Sequence, residues 1–338
     1  MRAWVIEPGA KSLEALKRTD RAEAKPGAGE VAVRLRAAAL NARDQAIVAG
    51  QYRFGTVARP TVALSDGAGE VTSVGPGVTR FAVGDRVAGI FCQAWQDGPF
   101  RPEMGATTLG VPLDGALAEL AVFPEHGVVR VPDHLTFEQA ATLPCAAVTA
   151  WHALMVKGGL LPGQWVLALG TGGVATFALQ LAKAAGARVI VTSSSDAKLE
   201  RAKGLGADRL INYRKTPDWQ DEVLRVTGGQ GADHVVEVGG AGTLERSVAA
   251  VRTEGQVHLI GFLAGRTTQF NLGNFVGKRA RLNGIFVGSR AMFEAMNACI
   301  AANRIVPVVD RVFPFEDARA AYEYQKSGAL FGKVVVAI

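Results

Sequence analysis

The chain has 338 residues but only three cysteines, Cys92, Cys145 and Cys299, which share no motif. That excludes a disulfide framework and a four-cysteine zinc site. No apolar run approaches the ~20 residues a membrane-spanning helix requires, so no membrane partner is expected. The opening MRAWVIEPGAKS reaches Glu7, Pro8 and Gly9 too soon for the apolar core of a signal peptide, and the expected location is cytoplasmic. The net charge of +6 comes without any run of five Lys or Arg residues. It reads as a solvated basic surface rather than a nucleic-acid footprint, which needs a clustered patch. His126, His134, His152, His234 and His258 have no metal spacing and read as structural; only His152, beside Trp151, falls on the helix that links the two halves. No G-x-S-x-G elbow is present.

Two kinds of sequence share the chain. Residues 1–125 are dense in Gly and Pro, with β-prone runs RAWVI, EVAVRLRAA, GEVTSVG, DRVAGIF and LAELAVF between turn segments. Short strands at that spacing suggest a barrel or sandwich. From about 135 the pattern changes. TFEQAATLPCAAVTAWHALM reads as one helix capped by Thr136. The runs QWVLALG, RVIVTS, RLINY, HVVEVGG, QVHLIGF and ARLNGIFVG then alternate with helical segments, among them GTLERSVAAVRTEG. Such alternation predicts a parallel, doubly wound α/β sheet. SRAMFEAMNACIAANRI is a further helix, and the C-terminal stretch ends in a strand.

The segment LGTGGVATFA (169–178) lies between the first of those strands and a helix. Read as G-x-G-x-x-G/A, it uses Gly170, Gly172 and Ala175, with Gly173 extra. The first glycine permits the tight turn, the second lets a pyrophosphate approach the backbone, and the small third residue lets helix and strand pack closely. Free N–H groups at the helix start face the anion. No Lys-Ser/Thr follows, so a P-loop is excluded. NAD-specific sites carry an acid at the end of the second strand. Here that strand runs into Ser193, Ser194 and Ser195, and Asp196 reads as a first-turn helix residue. Hydroxyls followed by Lys198 suit a 2′-phosphate, so NADP(H) is expected, with NAD(H) also admissible.

With LNARD, DGAGEVTSVGPGVTRFAVGDRV, GTGGVATFALQLAKAAGA, GADRLINY and FGKVVV, the sequence resembles the medium-chain dehydrogenase/reductase superfamily over essentially its whole length. It looks most like the zinc-independent quinone-oxidoreductase branch and bacterial proteins labelled alcohol dehydrogenases. The resemblance implies a GroES-like β-rich catalytic domain (1–125), a Rossmann domain (126–289) and a C-terminal return to the catalytic domain (290–338). It implies an active site in the cleft between domains. It also implies a homodimer paired through the Rossmann sheet edge, where ARLNGIFVG would lie.

Zinc-dependent members hold their metal with an early Cys, a His in Gly-His-Glu and a later Cys or acid. This chain has Asn41, the triplet Leu64-Ser65-Asp66, and Cys145. Zinc prefers imidazole and thiolate, so no zinc is expected, and Cys145 reads as a small buried helix residue.

Hydride transfer without a Lewis acid relies on positioning and on hydrogen-bond donors at the developing oxyanion. Quinones and α,β-unsaturated carbonyls suit this, because they delocalise the charge. By resemblance Tyr52 and Asn41 are the candidate catalytic residues. Asn41, Thr149, Gly170, Gly172, Gly173, Val174, Ser193, Ser194, Lys198, Tyr213, Gly261, Phe262, Phe286 and Val287 are the candidate cofactor-binding residues. Arg43 and Asp44 read as a surface pair near the site. Two alternatives stand beside this one: an alcohol or aldehyde dehydrogenase of the same superfamily, and a nucleotide- or RNA-binding protein without important turnover.

Overall fold

The computed structural model describes residues 1–52 and 55–338. They form two compact units, Met1–Val148 with Val287–Ile338, and Thr149–Phe286.

The second unit carries a six-stranded sheet in the order Arg209–Asn212, Arg188–Ser193, Trp165–Leu169, Ala232–Glu237, Val251–Leu259, Arg281–Gly284. Every pairing is parallel. Counted along the chain the order is 3-2-1-4-5-6, that of a Rossmann sheet. Trp165–Leu169 is buried throughout, as expected of a central strand covered on both faces. Leu167, Ile190, Val235 and Val257 pack with Trp219, Val223 and Val248 of the covering helices into one core.

The first unit is β-rich. One sheet runs Val309–Pro314, Lys333–Ala337, Glu30–Ala39, Asp66–Val74, Arg86–Gly89, Val128–Arg130, with Leu120–Pro124 also paired to Glu30–Ala39. Arg2–Ile6 lies between Leu16–Asp20 and Thr61–Val62 in a three-stranded sheet. The C-terminal strand Lys333–Ala337 pairs antiparallel with Glu30–Ala39, so the end of the chain joins a sheet whose earliest strand starts at Glu30. The helix Arg290–Ala302, capped by the Ser289 hydroxyl, also belongs to this unit.

Two local expectations change. The single helix read from 136 is short α-helical turns, Phe137–Ala140 and Val148–Trp151, alternating with π-helical turns, Leu143–Ala147 and His152–Lys157. Pro144 has no N–H to give to the helical ladder, and widened turns accommodate such a break. The helix read over GTLERSVAAVRTEG stops at Ala250, and the strand starts at Val251 rather than Gln256. Glu254 has φ +62°, and the register against Ala232–Glu237 shifts there. An irregularity inside the strand hid its true start. Among the described residues no helix is long and apolar enough to cross a membrane.

Candidate functional site

In the second unit the glycine segment adopts the expected form. Gly170 has φ +78°, a left-handed conformation that turns the chain off the strand Trp165–Leu169. Its N–H donates to Thr192 Oγ1 at 3.2 Å, tying the turn to the next strand. Gly172 is the N-cap of Gly173–Ala184. A Cβ at Gly170 or Gly172 would have no protein atom within 4 Å, so the backbone is open to a ligand there. Ala175 is buried in the first turn, where a larger side chain would push the helix off the sheet. The first-turn N–H groups have no intrahelical acceptor, and with the helix dipole they could hold an anion. Val174 lies in that turn.

The ends of the next two strands lie together. Ser193 is buried, and Tyr213 N donates to Ser193 O at 3.1 Å. Ser195 caps Asp196–Gly204 by accepting from Lys198 N. Ser194 and Lys198 are half-buried, and Tyr213 is 41% exposed. Asp196 is the first residue of that helix, as read from sequence. Its carboxylate accepts from Asn212 Nδ2 at 2.7 Å and Lys215 Nζ at 2.6 Å. These bonds hold it below the usual carboxylate range, the Lys215 bond contributing most.

Gly261 and Phe262 follow the strand Val251–Leu259, with Phe262 43% exposed. The side chain of Glu237, a fully buried residue that sequence reasoning missed, organises the neighbouring 239–247 segment. Its carboxylate accepts from Gly239 N, Gly240 N, Thr243 Oγ1 and Ser247 Oγ. The Glu237 carbonyl accepts from Ile260 N and Gly261 N. A Cβ at Gly261 would lie 2.7 Å from Val238 O, so that position requires glycine. Thr149 is buried and Phe286 half-buried in the same unit.

The first unit holds Asn41, Tyr52 and Val287. Asn41 is the N-cap of Ala42–Val48, and its N–H donates to Asp44 Oδ2 at 2.6 Å. Its side chain does not cap that helix. Oδ1 accepts from Lys333 Nζ at 2.6 Å, and Nδ2 lies 3.5 Å from Ser65 Oγ. Ser65 Oγ donates to Asp66 Oδ1 at 2.7 Å, and Asp66 Oδ2 accepts from Cys145 N at 3.1 Å. Lys333 Nζ also donates to Leu40 O at 2.6 Å and lies 3.8 Å from Asp66 Oδ2. Burial, then the Asp66 carboxylate, pushes the Cys145 thiol well above its ordinary value, so it is a thiol and not a thiolate.

Val287 has φ +40°, a strained conformation for a β-branched residue.

Tyr52 is half-buried, with the Arg43 guanidinium carbon 4.7 Å from its ring centroid. Burial raises its phenol, against the opposing influence of Arg43, and it stays a hydrogen-bond donor. Arg43 also lies 4.7 Å from the Phe91 ring and donates to Leu109 O at 2.8 Å and Val111 O at 3.3 Å. Asp44 is 1% exposed, and burial pushes it up to about 6. Arg43 and Asp44 are therefore no surface pair. Arg43 joins the loop around 109–111 to Tyr52, and Asp44 is buried beneath Asn41. Lys333, within FGKVVV, is a site residue that the sequence motifs do not single out. Its signal was a charged residue opening an otherwise apolar buried strand.

His152 is buried and lies close enough to His258 to depress it. Among the described residues no group of three or more His, Cys, Asp or Glu is arranged to hold a metal ion.

Comparison with known proteins agrees with this layout. A family model for the alcohol dehydrogenase GroES-like domain matches residues 27–133, and one for zinc-binding dehydrogenases matches residues 173–302. A zinc-type alcohol dehydrogenase-like protein of Schizosaccharomyces pombe is 49% identical over 92% of this chain and 91% of its own. A quinone oxidoreductase of Pseudomonas aeruginosa is 36% identical over 77% of this chain and 73% of its own. A crystal structure assigned to an alcohol dehydrogenase of Sinorhizobium meliloti superposes with a TM-score of 0.91 at 40% identity, covering both chains fully.

Proposed function

The chain belongs to the medium-chain dehydrogenase/reductase superfamily and is an NAD(P)H-dependent oxidoreductase; on that premise we propose that it reduces quinones or α,β-unsaturated carbonyls with NADPH and without zinc. The observation that carries this reading is the Asn41–Ser65–Asp66–Cys145 cluster with Lys333 inside it. Those groups do not suit zinc. An amide, a hydroxyl and a protonated thiol replace the imidazole and thiolate zinc prefers. The one carboxylate already faces an ammonium, which would repel a dication.

The nicotinamide cofactor supplies the hydride when bound. Gly170, Gly172, Gly173 and Val174 are placed to hold its pyrophosphate. Ser193, Ser194, Lys198 and Tyr213 surround the place for a ribose 2′-phosphate, and Asp196 is engaged with Lys215 instead of offering a free carboxylate to a ribose hydroxyl. Thr149, Gly261, Phe262, Phe286 and Val287 are assigned to the nicotinamide end. Tyr52 donates a hydrogen bond to the substrate carbonyl oxygen as negative charge develops on it.

The test is NADPH and NADH oxidation against quinones, enones and aldehydes in chelator-treated buffer, with metal content measured on the same sample. Enone or quinone turnover with NADPH and no bound metal supports the proposal. A second reading, a zinc alcohol dehydrogenase, is favoured by the match to the zinc-binding dehydrogenase family and by the S. pombe relative's name. Stoichiometric zinc with turnover confined to alcohols and aldehydes would establish it.

The same superfamily reading proposes a homodimer. Arg281–Gly284 is an edge strand with Leu282 40% exposed, and Leu263, Leu272 and Val276 are exposed in the same unit. An open edge in a unit that also exposes apolar side chains suits strand pairing with a second copy.

A further inference from the structure

Lys333 is 3% exposed, and burying an ammonium is costly unless it is paired and hydrogen-bonded. Here it donates to Leu40 O at 2.6 Å and to Asn41 Oδ1 at 2.6 Å, and pairs with the Asp66 carboxylate at 3.8 Å. The backbone delivering it is fixed. Gly332 has φ +89°, and a Cβ there would lie 2.4 Å from Val308 O. Leu64, next to Ser65, is also left-handed, with φ +63°. A closed ring results, running Asn41–Lys333–Asp66–Ser65 and back to Asn41.

A carboxamide offers an acceptor on one side and two donors on the other, and its neighbours decide which way it faces. An ammonium can only donate, so it commits Oδ1 of Asn41 to itself. Nδ2 then faces Ser65, at the 3.5 Å limit of hydrogen bonding. One Nδ2 hydrogen remains for a ligand.

We propose that Lys333 is a positioning residue that locks the Asn41 carboxamide as a hydrogen-bond donor toward the carbonyl oxygen of the substrate. The buried ion pair sets the direction of the amide and touches no reacting atom. This rests on the reading of Asn41 as an active-site residue.

The test compares Asn41→Ala, Asn41→Asp, Lys333→Met and the double variant Asn41→Ala/Lys333→Met, in turnover and in NADPH dissociation constant. Lys333→Met and Asn41→Ala should each lower kcat at least tenfold, with NADPH affinity within about twofold. The double variant should be no slower than the slower single, since both remove one device. Lys333→Arg, which keeps a buried cation, should recover part of the loss. Asn41→Asp leaves Lys333 in place and keeps an acceptor for it but has no donor. It should fold, melt no lower than the parent and lose turnover, and it carries the test if Lys333→Met fails to fold. Full kcat in Asn41→Asp, or multiplying losses in the double variant, overturns the proposal. Full kcat in Lys333→Met beside an impaired Asn41→Ala overturns the positioning alone. Full kcat in Asn41→Ala removes the reading of Asn41 itself, and the proposal with it.

Discussion

Asp196 Oδ2 lies 2.6 Å from Lys215 Nζ, and its other oxygen holds Asn212. The first carboxylate after the second Rossmann strand is thus turned toward the end of the third. On the function proposed above, cofactor choice falls to the hydroxyls of Ser193 and Ser194 and to the Lys198 side chain. Lys198→Ala is expected to raise the NADPH dissociation constant about tenfold or more, the size of a lost hydrogen bond to a charged group. NADH binding should stay within twofold. Fluorescence titration of both cofactors measures this, and equal weakening of the two would remove Lys198 from 2′-phosphate recognition.

Tyr52→Phe tests the donor to the substrate carbonyl. The ring keeps its stacking with Arg43 in either form, while the hydroxyl's hydrogen bond with that guanidinium is lost, so stability should fall by no more than about 1–2 kcal/mol. Turnover on enones should fall by about 10- to 1000-fold if the hydroxyl stabilises the developing oxyanion. Unchanged kcat would leave Tyr52 a packing residue.

Buried histidines give the second unit a defined acid sensitivity. His234 Nδ1 lies 3.2 Å from His258 Nε2, and the rings stack at 5.5 Å. Burial lowers His234 to about 4, and burial with the charges of His234 and His152 lowers His258 to about 3. Below the ordinary value of 6.5 the unfolded chain binds protons that the native state refuses. Stability is therefore complete above pH 6.5 and falls as pH drops toward 4. Each histidine costs on the order of 2–3 kcal/mol by pH 4.5. Urea midpoints at pH 7.5 and 4.5 measure the slope, and His258→Gln should flatten it. A His258→Gln slope equal to the parent's would assign the acid loss to other groups.

Glu237 binds four donors inside the second unit. Glu237→Ala strands those donors and should destabilise the protein by about 3 kcal/mol or more. NADPH affinity should fall as well, because the 239–243 turn that the carboxylate holds is itself bonded to the segment after Phe262, through Ala264 N to Gly239 O and Ala241 N to Gly265 O. A melting temperature within 1–2 °C of the parent would contradict this, since ~3 kcal/mol shifts it well beyond that even in a large domain.

The edge strand Arg281–Gly284 predicts the oligomeric state. Sedimentation should give a dimer, and Leu282→Lys, which places a charge on the edge, should shift it toward monomer while NADPH binding persists. A parent chain sedimenting as a monomer at all concentrations would exclude pairing there.

Periodicity alone made the Rossmann half legible. Buried parallel strands are continuous apolar runs and helices are several turns long, so the parallel, doubly wound class and the glycine turn at 170–173 followed from local pattern, while the strand order 3-2-1-4-5-6 came from the structure. The seven-strand sheet of the first unit was legible only as a set of short strands, because antiparallel partners such as Val335 and Ala39 lie far apart in sequence. The strand from Val251 was hidden by the left-handed Glu254 within it.

The residue types at positions 41, 65, 66 and 145 could be read directly, and they already argued against a zinc ligand set. Only the tertiary structure decided what stands among them. Lys333 arrives on a strand 292 positions after Asn41, and local spacing carries no trace of such a meeting. The same is true of Arg43 and Asp44. Two adjacent charges look like surface in a linear sequence. Packing buried one and stacked the other between Tyr52 and Phe91, because the burial of a charge depends on the partners the fold brings to it.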